Sequence, residues 1–306
     1  MAIPREIFHQ EEKRNDVEVS PETKAARRVL LDMLEVFMRI CEKYDLRFFM
    51  VGGSMLGTVR HQGFIPWDDD IDVGMPRKDY NKLKKLLPGE LPDNLVVQLM
   101  GFDDGDSYWP FIKIRNSNTA AIDSAHTNRH MRHNMGLFVD VIPIDGIPQG
   151  KLFQMLYNRI NKEFRMFRCW PTLDLDNRPL NRVRKVFYRL FGRSLLFSLY
   201  EKYLTMCSAI CKRKAAEAIA YVGVRDSLIW DVSWFKDVIW RDFEHLKVPL
   251  PKEFEKCLAR HYGTNWRTPI MGTALHSPLV ISTTKGWKQV LVEKYGYTYA
   301  ELDRIR

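Results

Sequence analysis

An α+β fold, α/β-like in places, with a mixed sheet flanked by helices is what this 306-residue sequence predicts. Three observations carry that reading. Segments of helical period alternate with short apolar runs, as layered folds of helices and strands require. Gly, Pro and Asp bound those runs, which is how strands are punctuated. A hydrophobic share of 45% and an aromatic share of 12% supply a core of ordinary globular size.

The elements follow in order. Ser20-Pro21-Glu22 reads as an N-cap, a proline at the first helical position and an acid in the first turn. The run 25–44 then keeps Val29, Leu30, Met33, Leu34, Phe37, Ile40 and Cys41 at helical spacing. Residues 46–51, LRFFMV, form an almost wholly apolar strand. Gly52-Gly53 breaks it, and Ser54 is placed to cap a short helix over 55–60. DIDVG (70–74) is a second strand, after which Pro76 opens a helix ending at Pro88-Gly89. Further strands are expected at 95–100, 108–115 and 136–145. After Pro148 the chain turns helical and basic to about residue 222, and 243–268 looks like a loop and helix module. The expected division is an arm over 1–19, a core over 20–148, a basic helical region over 149–242 and a closing module over 243–306.

Charge is unevenly spread. Residues 151–214 hold 15 Lys or Arg against four acids, a net +11, while the remainder is at −2. The apolar stretches 29–41 and 194–211 are interrupted by charge and fall short of the roughly 20 residues of a spanning helix. No apolar leader opens the chain, and the expected location is the cytoplasm. The five cysteines form no C-x-x-C and no zinc pattern with the histidines, which suits a reducing compartment.

Against this background, GGSMLGTVRHQGFIPWDDDID (52–72) places four aspartates among its last five residues. On a strand, residues two apart face the same way, so Asp70 and Asp72 present parallel carboxylates. Such a pair is self-repelling unless a cation lies between its members. Hard oxygen donors on a rigid element suit Mg²⁺ or Mn²⁺. A third carboxylate is expected from Asp140, isolated in the apolar LFVDVI, with Asp145 as the fallback. Asp68 and Asp69 read as loop carboxylates, Asp69 within reach of donor or acceptor. A calcium-loop reading fails: Val73 stands where the sharp turn needs Gly, and Asp79 where a Glu is required. Upstream, Gly52, Gly53 and Ser54 between a strand and a helix have the physics of a phosphate cradle.

GGSMLGTVRHQGFIPWDDDIDVGMPRKDY (52–80) resembles the LicD family, the phosphocholine-type and fukutin-like transferases of the nucleotidyltransferase superfamily. The likeness covers roughly 25–148 well and 243–268 thinly, and it leaves the segment between unaligned. It implies a nucleotidyltransferase-type palm in which Gly53-Ser54 meets the diphosphate and Asp70, Asp72 and Asp140 form the catalytic and metal-binding triad. It further implies phosphocholine transfer from a CDP-activated donor to a sugar hydroxyl of a cell-surface glycan.

Lys113 and Arg115, two apart on a strand, are candidates to neutralise phosphate, as is Arg60 at the end of the short helix. His61 is a candidate base, and Trp67 can cover a base or a quaternary ammonium. The basic 151–214 segment interleaves Arg and Lys with Phe, Tyr and Leu. That pattern suits peripheral contact with an anionic membrane near a lipid-linked acceptor. It equally suits a solvated helical face; nucleic acid is the least favoured partner. Alternatives on the table are transfer of glycerol phosphate, ribitol phosphate or a nucleotidyl group, a D-x-D glycosyltransferase, and a non-catalytic nucleotide- or glycan-binding module.

Overall fold

The computed structural model of the chain describes residues 12–14, 17–100, 109–122, 133–168, 183–184, 186–187, 190–270 and 280–303. Most of the expected arm, Tyr108 at the head of one expected strand, Cys169 and part of the basic segment lie outside them.

Two short strands, β1 (Glu12–Arg14) and β2 (Val17–Val19), pair antiparallel ahead of helix α1 (Pro21–Lys43). The Ser20 hydroxyl accepts from the Thr23 amide at 3.1 Å, so the expected cap is made and starts α1 at Pro21. Its inner stripe, including Leu30, Leu34 and Phe37, is fully buried.

The main sheet is built on one long strand, β8 (Phe138–Ile147). Strand β4 (Ile71–Pro76) runs parallel along one edge, and β3 (Phe49–Met50) pairs antiparallel beyond it. The other edge of β8 is shared. Its first half takes β6 (Ile112–Asn116), which carries β5 (Leu95–Gln98). Its second half takes β9 (Lys214–Glu217), which carries β10 (Ile229–Asp231). Mixed parallel and antiparallel pairing is the α+β architecture the sequence predicts. Ile71, Val73, Val139 and Val141 are all buried at 0%, each worth about 1.5–3 kcal/mol in burial.

Helix α2 (Gly52–His61) links β3 to β4, and α3 (Arg77–Glu90) follows β4. After β8 come α4 (Lys151–Arg168) and α5 (Arg193–Ile210). The short α6 (Ile219–Val222) follows β9. Two expectations are corrected here. Residues 214–217 and 229–231 are strands of the main sheet rather than parts of a helical run. A hairpin, β11 (Val238–Phe243) with β12 (Leu246–Pro251), crosses the boundary expected at 243, ahead of helix α7 (Phe254–Tyr262). A smaller core joins β7 (Ala120–Ile122) and β13 (Val280–Ser282) to α8 (Trp287–Tyr295) and α9 (Tyr299–Leu302).

Candidate active site

Strand register assembles the charged row. The β4–β8 pairing sets Asp72 directly beside Asp140, and the β6–β8 pairing sets Lys113 opposite Asp140. Residues in register share a face, so Asp72, Asp140 and Lys113 line up across three strands. The Lys113 ammonium donates to both Asp140 carboxylate oxygens, at 2.6 and 2.7 Å, and lies 3.7 Å from the Phe138 ring centroid. Asp70 lies just ahead of β4 rather than on it, and is itself buried. Asp145 is committed elsewhere. Five residues beyond Asp140, it receives Arg77 Nε and Nη2 at 2.6 Å each and the Ser208 hydroxyl at 3.0 Å.

The glycines bring helix α2 onto that row. Gly52 has φ +53°, and a Cβ there would stand 3.1 Å from Asp72 Oδ2. A Cβ on Gly53 would stand 2.5 Å from Asp68 Oδ2. Ser54 does not cap the helix as expected. Val51 occupies the N-cap position without a side-chain cap, and Ser54 lies inside the first turn. Its hydroxyl accepts the Asp72 amide at 2.8 Å instead, pinning the strand to the helix start. A helix whose first amides have no side-chain cap offers them to an anion.

Asp68, Asp69 and Asp70 bring one carboxylate oxygen each within 4.8 Å of one another. The Asp72 carboxyl is pushed well above its ordinary range, by burial first and then by the charges of Asp70, Asp140 and Asp68. Burial likewise raises Asp140 and lowers Lys113, and the short ion pair between them opposes both shifts. The row and the loop beside it present carboxylate oxygens and one buried ammonium, and negative charge is in excess. That donor set fits a hard divalent cation. Among the described residues the three acids whose oxygens come together are Asp68, Asp69 and Asp70. Asp72 and Asp140 stand in register beside one another, and the expected set Asp70, Asp72 and Asp140 could hold such a cation.

The other expected site residues are distributed as follows. Arg115 shares the Lys113 face but directs Nε to Gln98 at 2.6 Å and Nη1 to the Gly136 carbonyl at 2.8 Å. Those contacts tie it to the sheet edge. Arg60 turns toward the Trp266 carbonyl, 3.2 Å from Nη1, and its Nε lies 3.5 Å from His61 Nδ1. Both stand at the far end of α2, roughly 12–14 Å of helix rise from Gly52. Trp67 is half-buried and packs against the main core.

Three contributors escaped the sequence reading. Arg27 on α1 donates to the carbonyls of Ile65, Pro66 and Asp68 at 2.8–2.9 Å, fixing the acidic loop. Its signal was a charge in the apolar stripe of α1, three positions before Leu30. Tyr262 is 40% exposed as a whole residue, but its hydroxyl end is desolvated and pushed up, with Glu217, Asp72, Asp68 and Asp70 adding to the shift. Glu217 is 4% exposed, with Oε2 lacking a hydrogen-bond partner and Oε1 3.8 Å from His261 Nδ1. Burial alone raises Glu217 to about 8, and burial lowers His261 to about 4.

Residues 45–143 match the family model described as LicD/FKTN/FKRP, nucleotidyltransferase domain. That span contains the glycine cradle, all the acids of the row and Lys113, and ends ahead of Glu217 and Tyr262. The chain is 26% identical over 247 residues to the lipopolysaccharide cholinephosphotransferase LicD of Haemophilus influenzae, covering 79% of this chain and 90% of that protein. Over 75 residues it is 33% identical to the human ribitol 5-phosphate transferase FKRP, which covers 24% of this chain and 15% of that protein.

Proposed function

We propose, from the LicD-family domain this phosphotransferase carries and the acidic row that domain builds, that it moves a phospho-alcohol from a CDP-activated donor to a sugar hydroxyl of a cell-surface glycan. Phosphocholine is the preferred group, since the relative aligned over most of the chain is a cholinephosphotransferase. One observation carries the reading: the register that sets Asp72, Asp140 and Lys113 side by side beneath the uncapped start of α2.

The first-turn amides of α2 and the Ser54 hydroxyl proton receive the diphosphate oxygens of the donor. Asp70, Asp72 and Asp140 would hold a divalent cation, Mg²⁺ or Mn²⁺, which when bound would supply charge neutralisation to the diphosphate. Asp140 takes the proton of the acceptor hydroxyl, and Lys113 fixes the carboxylate that does so. The hydroxyl oxygen bonds to the phosphorus bearing the alcohol, the bond from that phosphorus to the CMP oxygen breaks, and CMP departs with the electron pair.

The test is a donor panel of CDP-choline, CDP-glycerol, CDP-ribitol and nucleoside triphosphates, each with a lipopolysaccharide glycan acceptor. CMP release from CDP-choline is the expected result. Release from CDP-ribitol instead moves the specificity toward that of the second relative. Pyrophosphate release from a triphosphate, or no CMP from any donor, overturns the proposal.

A further inference from the structure

Thirteen of the eighteen large apolar residues exposed among the described residues lie between 152 and 210, each at least 43% exposed. A soluble surface rarely gathers so many in one region without a use. The two helices that carry most of them form an antiparallel pair. Tyr157 meets Tyr203 at 5.8 Å between centroids, and Phe164 stacks on Tyr200 at 3.7 Å and reaches Phe197 at 5.9 Å. The start of α4 therefore lies beside the end of α5.

Both helices are two-faced. At 100° per residue, Leu195, Leu199, Met206 and Ile210 on α5 fall within about 60° of arc, with Lys202 in the same stripe. The buried Phe197, Tyr200 and Leu204 occupy the opposite side. On α4, Leu152, Met155 and Leu156 form the outer side together with Arg159 and Lys162, opposite the buried Tyr157 and Phe164. Apolar and cationic side chains thus share one outward surface, in the segment that carries a net +11.

We infer that the outer face of α4 and α5 is a docking surface for an anionic phospholipid bilayer. A second protein copy would have to match the apolar stripe and also neutralise the cations. A bilayer supplies both, with acyl depth for Leu152, Leu156, Leu199 and Met206 and headgroup charge for the lysines and arginines. Contact is at the surface, because no helix among the described residues is long and apolar enough to cross a membrane. The helices also lie on the Asp145 side of the sheet, where Ser208 of α5 bonds that carboxylate. The Asp72–Asp140 row lies on the other face of that sheet. The inference does not depend on which group is transferred.

Sedimentation of the full chain with vesicles tests it. Binding is expected to phosphatidylglycerol–phosphatidylcholine vesicles and not to pure phosphatidylcholine, and to fall as salt rises from about 0.05 to 0.5 M. Leu152→Glu/Leu156→Glu and Leu199→Glu/Met206→Glu are each expected to lower partitioning at least about tenfold with unchanged thermal melts. Trp240→Glu, an exposed apolar position elsewhere, is expected to leave it unchanged. Absence of binding to anionic vesicles overturns the inference. So does binding that the double variants leave intact, or a stable dimer in light scattering that they dissociate.

Discussion

A carboxylate set beside a second carboxylate on the next strand ionises fully only when positive charge is near. At Asp72 the neighbours Asp70, Asp140 and Asp68 all push the other way. Lys113 is the one cation the row itself provides, and it is spent on Asp140. Replacing Lys113 with Met is expected to cut CMP release by about tenfold or more, with partial recovery at raised Mg²⁺; steady-state rates across a metal titration check this. Glu217 gives a separate, stability-based prediction. Its folded-state value of about 8 stands above the ordinary 4.5, so its favourable neutral form is fully available below about pH 4.5. Stability is then lost, by up to about 1.4 kcal/mol per unit, as pH rises toward 8. Glu217→Gln removes that loss. Melting temperatures of variant and wild type should coincide near pH 4.5 and diverge in the variant's favour by pH 8. At this scale the sequence was informative about placement where alternation or isolation marked a residue, as with Asp72 and Asp140, which the register sets side by side, whereas Asp70 lies ahead of the strand expected to carry it. Arg27, Glu217 and Tyr262 were hidden because their partners lie tens to hundreds of residues away.

At the scale of elements, the link between β3 and β4 depends on two glycines for different reasons. Gly52 takes a left-handed conformation, so Gly52→Ala is expected to cost about 1 kcal/mol in stability and to press on Asp72 Oδ2. Gly53 has ordinary φ, but a methyl there collides with the Asp68 carboxylate. Gly53→Ala is expected to leave the thermal melt nearly unchanged while lowering turnover, a split that paired melts and rates would reveal. The break at Gly52-Gly53 was readable from the sequence. The capping role expected of Ser54 was not realised, because its hydroxyl found the Asp72 amide. Strand β9 was hidden behind its alanines, which favour helix when read alone. It becomes a strand because the second half of β8 has an open edge there. The β11–β12 hairpin turns at Glu244 and His245, with Glu244 at φ +54°, and lacks the Asn-Gly or Asp-Gly signal that announces such turns.

For the whole molecule, the sheet does not stop where the composition changes at 148. Chain from beyond α5 returns to pair with β8, and the Asp145–Arg77 ion pair, fully buried, joins that strand to α3. Ser208 adds α5 to the same network, and Glu201 stands 3.6 Å from Arg77 Nη1. Asp145→Ala leaves Arg77 with its charge buried and is expected to cost about 3–5 kcal/mol, read from denaturant midpoints. The site and the basic, apolar outer face are thus parts of one framework, placed on opposite sides of one sheet. The central claim is that the row on the inner side holds a divalent cation. Calorimetric titration of Mn²⁺ into the full chain, beside Asp72→Asn and Asp140→Asn forms with wild-type melts, tests it most directly. The account predicts saturable binding that weakens at least about tenfold in both variants. Equal Mn²⁺ affinity in all three proteins would contradict it.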